Sequence, residues 1–328
     1  MRLGRRGALA GVAAAAALKV SVTGARAVAP PPRRLKMLVG MPEGSGADRM
    51  ARAFCGVLAP RLPGFELAVT NLPGDGGRTM LAALGDPAGA GSVLGWVSTP
   101  TLPARMIDRG DPSLITRIAL LGQIAREPIA FVSPANDPAD TIQDIIERAA
   151  EDADAVPLGT PPAGSAPFLT ALRLQALAQT RLNIVTFPSA EAALQAVLAG
   201  NVSAAALALP ATIGAIRDGN LTAIGIAAHR RFGVLPDAPV LDEAGIPLSA
   251  FIRRGLAVPA GTAPELAATL TAAARAAAAD DAFVEKALAD GYHAGWRDGA
   301  AWLGTAEAER KDLAALWTTD PWLSSSGE

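Results

Sequence analysis

Leu35-Lys36-Met37-Leu38-Val39-Gly40-Met41-Pro42-Glu43-Gly44-Ser45-Gly46-Ala47-Asp48 is the stretch that decides the fold. The apolar run over 35–41 reads as a strand, and the residues after it form a loop of small side chains. Beyond the loop, Ala47, Met50, Ala51, Phe54, Val57 and Leu58 recur at the spacing of one helical face. Strand, glycine loop and helix in that order make one βα unit.

Outward from this unit the pattern repeats. A strand over 67–71 closes in Pro73-Gly74-Asp75-Gly76-Gly77, a helix fits 79–84, and strands fit 92–98, 118–121 and 129–133, with 100–109 lying between elements. Thr141 caps a helix that runs to about Glu151. A second set follows, with strands at 156–159, 182–187, 203–209 and 222–228 and helices at 166–178 and 190–198. Past Pro236 the chain reads as loop until a strand at 256–258, after which Pro264 opens a long alanine-rich helix, with Thr262 or Ala263 near its cap. Repeated βα units imply parallel sheets with right-handed crossovers. The expected fold is therefore α/β and two-lobed, each lobe a mainly parallel sheet flanked by helices, with a cleft between them. Lobe 1 is expected to hold 28–133 plus 251–328 and lobe 2 to hold 134–250, with crossings near 132–135 and 249–256.

Size and charge narrow the function. Arg2, Arg5 and Arg6 precede an apolar run over 7–18, and Ala25-Arg26-Ala27 follows it. A basic start, a short apolar segment and a small-x-small site make residues 1–27 an export signal, loosely of the twin-arginine kind and equally readable as a Sec signal. The apolar run is too short to span a bilayer. Its removal would take five of the 29 basic residues and none of the 31 acidic ones, leaving a chain about seven charges negative. That balance argues against nucleic acid or anionic lipid as a partner. Cys55 is the only cysteine, so no intrachain disulfide forms and no cysteine stands at the cleavage site to carry a lipid. The remaining 300 or so residues exceed what one core organises, which agrees with two lobes.

The loop Gly44-Ser45-Gly46-Ala47-Asp48 brings backbone N–H groups together at a helix start, where the positive end of the helix adds to them, so it suits an anion. It is not a nucleotide phosphate loop, because no Gly-Lys-Ser/Thr follows. Nor is it the dinucleotide fingerprint, because Arg49 stands where the third glycine would fall. Gly74-Asp75-Gly76-Gly77 has the same design one unit later, and two such loops face one crevice at the carboxyl ends of neighbouring strands. In the second set, Thr160, Gly164 and Ser165 join a strand to a helix, as does Ser189. Plain N-capping explains Ser165, Ser189 and the carboxylate of Asp48 equally well.

Catalytic patterns are poor. His229 and His293 lie far apart, neither has a carboxylate or cysteine at metal-ligand spacing, and Gly-x-Ser-x-Gly is absent. Cys55 falls on the apolar face of the first helix, and the tryptophans and Tyr292 late in the chain read as packing groups. No metal and no cofactor are expected.

Taken in order, 41–48 with Ala51-Arg52, 71–77, Leu121-Gly122-Gln123-Ile124, 128–132, 235–240, 243–247 and 258–264 resemble the substrate-binding proteins of tripartite tricarboxylate transporters, the Bug or TctC-like family. The resemblance covers nearly all of the chain after the signal. It implies a type II periplasmic-binding-protein fold, monomeric, whose lobes close on a small carboxylate and deliver it to a membrane transporter or sensor. It also implies which residues bind: Gly44, Ser45, Gly46, Asp48, Gly74, Asp75, Gly76 and Gly77 for one carboxylate, and Thr160, Gly164, Ser165 and Ser189 for the far end of the ligand. Glu43 and Asp75 depart from the family's uncharged residues, and acidic side chains flanking the site would disfavour a trianion and suit a single carboxylate or an amine. Two other readings stand beside this one: an exported α/β hydrolase using Ser45 or Ser165 as nucleophile, and a degenerate relative that has lost its ligand.

Overall fold

Ten strands and ten α-helices alternate along residues 32–136 and 141–323, the parts of the chain that the computed structural model describes. The expected export signal over 1–27 lies outside them. The first half of the chain contains β1 (Arg33–Val39), α1 (Gly46–Leu58), β2 (Phe65–Asn71), α2 (Arg78–Leu84), β3 (Val93–Thr99), α3 (Thr101–Asp108), β4 (Ile118–Pro134), α4 (Ile142–Glu151), β5 (Pro157–Thr160) and α5 (Ala166–Ala178). The second contains β6 (Asn183–Thr186), α6 (Ala190–Leu198), β7 (Ala204–Ala208), α7 (Leu209–Arg217), β8 (Leu221–Ile226), β9 (Phe251–Pro259), α8 (Pro264–Ala278), α9 (Asp281–Ala289), β10 (His293–Asp298) and α10 (Gly299–Thr319). Among the described residues no helix is long and apolar enough to cross a membrane.

Local chemistry explains most boundaries. The Ser45, Ser165 and Ser189 hydroxyls accept the backbone N–H of Asp48, Phe168 and Ala192, capping α1, α5 and α6. Thr141 and Asp144 form a reciprocal capping box at α4. β7 reads Ala204-Ala-Ala-Leu-Ala208 and is buried throughout, as a strand covered on both faces must be.

The parallel βα pattern is confined to part of each lobe. β1 pairs with β2 and β3 in parallel, and β5 with β6 and β7 in parallel, whereas β9, β4 and β10 add antiparallel pairs to the first sheet and β4 and β8 to the second. Where sequence reading expects separate strands at 118–121 and 129–133, the structure has one strand of 17 residues. Its first part, to Pro128, lies in the first sheet beside β9, and its last part, from Ile129, lies in the second between β7 and β8. The apolar pattern breaks at Arg126-Glu127-Pro128 because charge is accommodated there by partners distant in sequence: Glu127 pairs with Arg254 on β9, and Arg126 lies 5.3 Å from the Phe251 ring. For the same reason β9 starts at Phe251, five residues before the expected strand, with Arg253 paired to Glu309.

Residues Ile129 and Phe131 of β4 pack on one face of the second sheet with Leu158 and Ala206, and Ala130 and Val132 on the other with Leu207 and Ile226, the two-residue alternation of a strand. The first sheet is covered by α1 and α8 through Phe54, Trp96, Leu256 and Ala274 on one face and by Met80, Leu84, Leu102 and Trp302 on the other. A smaller cluster joins the lobes: Ala104 of α3 and Leu313 of α10 pack with Phe168, Leu169 and Leu172 of α5 and with Trp322.

Candidate functional site

Between the two sheets lies a cavity of about 660 Å³, within the range of small-molecule sites. The two glycine loops of the first lobe and the 160–165 loop of the second reach its wall. Ser45, Gly46, Gly76, Gly77, Gly164 and Ser165 line it. Of the residues expected at the site from sequence, these six are brought together there.

The other six sit behind or beside the wall. Asp48 is buried, and its carboxylate accepts the Gly44 N–H at 2.9 Å, the Arg52 Nε–H at 2.9 and 3.0 Å, and the Asn71 Nδ2–H at 2.9 Å. Asn71, at the end of β2, also donates to the Met41 carbonyl at 2.9 Å, so Asp48 and Asn71 tie the first glycine loop to the second strand. Burial pushes the Asp48 carboxyl up, but the hydrogen bonds from Arg52, Gly44 and Asn71 outweigh it and hold the group below the usual carboxylate range. Gly44 and Gly74 have φ of +77° and +133°, the turn geometry that lets each loop fold back. Thr160 is fully buried and its hydroxyl donates to the Pro161 carbonyl at 3.0 Å, while Ser189 serves as the cap of α6.

Asp75 is ion-paired with Arg78 at 3.0 Å and Arg109 at 2.6 Å, and Glu43, largely exposed, pairs with Arg52 at 3.3 Å. Neither lines the cavity. Arginines supplied by α1, α2 and the end of α3 hold both carboxylates in ion pairs beside the wall. Replacing Glu43 or Asp75 with alanine is expected to leave the order of preference across a panel of carboxylates and amino acids unchanged in equilibrium binding; a reordered panel would put that carboxylate back at the ligand.

The wall contains groups that sequence reading did not single out. Arg49, Arg105, Arg217, Arg254 and Lys286 bring positive charge, and Glu127, Glu191 and Asp290 negative charge. Glu127 pairs with Arg254, and Asp290 with Lys286 at 2.8 Å. Arg49 and Arg217 donate to carbonyls, those of Gly44 and Ala289, and so keep their charge available. Between these groups the wall is apolar, with Met50, Met80, Trp96, Leu102, Ile213 and Ile252. A wall of this kind suits a small organic anion: donors for its charged end, apolar surface for its body, and cations in surplus. The one legible hint of Arg105 was its spacing to Asp108, three residues on along α3.

Among the described residues no cluster of three or more His, Cys, Asp or Glu side chains is placed to hold a metal ion. His229 bonds Asp242 through Nδ1 at 2.8 Å and His293 stacks against Phe232, so the hydroxyls of Ser45 and Ser165, engaged as helix caps, are not matched with an imidazole base. Burial pushes the Cys55 thiol up to about 12, which leaves it a packing group.

Comparison with known proteins agrees with this architecture. The model of the tripartite tricarboxylate transporter family receptor, TctC, matches residues 63–300. A protein encoded in the gbd 5′ region of Cupriavidus necator is 27% identical over 264 residues, covering 79% of this chain and 80% of that one. BugT of Bordetella pertussis is 25% identical over 275 residues, covering 80% and 81%. Among solved structures, MatC from Rhodopseudomonas palustris with bound malate superposes with a TM-score of 0.76 at 23% identity, over 87% of this chain and 99% of that one. The periplasmic binding protein BugD gives 0.78 at 21% identity, over 88% and 98%, and Rpa4515 of R. palustris with adipate gives 0.79 at 21%, over 88% and 97%. At these identities the structures establish a shared two-lobed fold.

Proposed function

Because the chain belongs to the tripartite tricarboxylate transporter receptor family, a family of solute-binding receptors and not of enzymes, we propose that it captures a small carboxylate in the periplasm and presents it to a tripartite tricarboxylate-type transporter or a sensor. The observation that carries this reading is the convergence of three loops, at 45–46, 76–77 and 164–165, on one cavity between the lobes. One carboxylate of the ligand would be held by backbone N–H groups of the first two loops with the Ser45 hydroxyl, and the far end would meet Gly164 and Ser165. The surplus of cations at Arg49 and Arg217 supports an anionic ligand. Malate and adipate, bound by two proteins of the same fold, are the first compounds to try. The reading takes 1–27 as an export signal and keeps the two expected lobes, 28–133 with 251–328 and 134–250, with the boundary at 133/134 moved to Pro128/Ile129, where β4 passes from the first sheet to the second, the whole acting as a monomer. Closure then requires only that the ligand touch both lobes better when they are together.

The test is a thermal-shift screen of residues 28–328, unfolded and refolded to strip carried ligand, against mono-, di- and tricarboxylates, amino acids and aromatic acids. The expected result is a saturable rise for one class of carboxylate without turnover of the compound. At a hundred times the dissociation constant it corresponds to about 2.7 kcal/mol of stabilisation. Folded protein that responds to no carboxylate would refute the reading.

A further inference from the structure

One side chain stands where the loops of the two lobes meet. Arg105, on α3 of the first lobe, is 3% exposed. Its Nη2 donates to the carbonyl of Ala163 in the second lobe at 3.0 Å and pairs with Asp108 at 2.9 Å. Asp108 in turn accepts the Trp322 Nε1–H at 3.0 Å, which places the end of the chain behind the same contact. The guanidinium lies close to two glycines of the ligand loops, Gly76 and Gly164. A β-carbon at Gly76 would sit 2.8 Å from Nη1, and one at Gly164 would sit 1.7 Å from Nη2. Both positions have positive φ, +61° and +75°, and the two loops are close enough to grip the arginine only because neither bears a side chain. Nε–H is buried without an acceptor at the cavity wall.

An arginine buried at this depth is costly unless its site repays the desolvation. Asp108, three residues on along the same helix, does part of this whatever the lobes do, and the Ala163 carbonyl does the rest only while the lobes are together. If the second lobe swings away, the Ala163 contact is lost and water reaches the guanidinium, which relieves the same cost in the opposite way. The group therefore has two arrangements, one for each position of the lobes, and the closed one is held by a contact that no ligand atom makes.

We propose that Arg105 is the positioning residue of the ligand site, clamping the 160–165 loop of the second lobe against the 74–77 loop of the first and so setting the spacing of the loops around the ligand. The proposal rests on the cavity's being the ligand site, but the clamp is testable without any ligand. Small-angle scattering of the ligand-free protein compares the wild type with Arg105→Gln, Arg105→Lys and Gly164→Ala. Arg105→Gln and Gly164→Ala are expected to raise the radius of gyration beyond measurement error, with circular dichroism showing the helix content unchanged. Arg105→Lys, which keeps the charge but loses the planar guanidinium seated beside Gly76 and Gly164, should fall between. Succinate is the probe for the second arm: its release should be tenfold or more faster from Arg105→Gln, with the association rate changed little, since a clamp acts after capture. An unchanged radius in all three folded variants would overturn the clamp. A wild type that ignores succinate bears on the ligand reading alone and leaves the scattering to decide the clamp.

Discussion

Gly255→Ala is expected to lower the unfolding midpoint by roughly 6–12 °C, from a loss of about 3 kcal/mol or more, or to prevent folded protein from accumulating. Gly255 sits in the middle of β9, opposite Val97 of β3 on one side and Gln123 of β4 on the other. A β-carbon there would lie 2.1 Å from the Gly122 carbonyl oxygen, 2.8 Å from the Gln123 Cα and 2.7 Å from the ring of Trp302. Two of those obstacles are backbone of a central strand, bulged at this point, and the third is a fully buried indole whose Nε1–H bonds the Thr99 hydroxyl at 3.2 Å. None can move aside without breaking the ladder between β4 and β9. Gly122→Ala should cost less, because the atoms nearest its β-carbon belong to the part-exposed Trp296 ring on the edge strand β10, a side chain and not the backbone of a central strand. Gly261→Ala is the control: nothing lies within 4 Å and φ is not positive, so the change should stay within about 0.5 kcal/mol. Thermal unfolding of the three variants decides the matter; equal midpoints for Gly255→Ala and Gly261→Ala would refute the crowding.

Asp48→Ala carries the second large effect, on binding and stability together. The substitution leaves the Gly44 N–H and the Asn71 amide without their acceptor and lets the first glycine loop part from β2. Arg52 is part-exposed and regains water, so the loss is smaller than for a fully buried ion pair, about 2–3 kcal/mol. Ligand affinity should fall tenfold or more, because the N–H groups proposed to hold the carboxylate lose their arrangement. The pH dependence has a definite sign. A carboxyl held low in the folded state stabilises fully above its ordinary value of 3.8 and loses that contribution as pH falls through the folded value. The stability gap between wild type and Asp48→Asn should therefore be widest near neutrality and shrink below about pH 4. Calorimetry of both proteins at pH 7 and pH 3 would show it, and a gap of equal size at both would mean that Asp48 is not an ionised partner of Arg52.

What the sequence made legible followed from interactions local in the chain. β1, α1, β2, α5 and α6 announce themselves through apolar spacing and through Ser45, Ser165 and Ser189 at helix starts, so the convergence of loops on one cavity could be anticipated. What escaped depends on partners remote in sequence. Arg126, Glu127, Arg253 and Arg254 look like interruptions until β4 and β9 lie side by side and the charges pair. The partners of Asp75 are not legible either, since Arg109 comes to it from the far end of α3. Arg105 became visible only when a helix of the first lobe met a loop of the second. The ligand loops themselves were legible as segments, but whether Gly76 or Gly74 reaches the wall turns on backbone angles that glycine leaves open.

The strand order has a consequence for how the chain is made. β3 pairs with β1 on one edge and with β9 on the other, and β9 is synthesised about 150 residues later. Until then the far edge of β3 offers unpaired N–H and C=O groups to any passing strand. By that point β4 to β8 have all emerged, so the second sheet has its strands while the first is still missing β9 and β10. A chain cut short after β8 would thus present a nearly complete second lobe beside an open-edged first one, a species prone to aggregate. The sheet that β1 starts is the one that β10 completes.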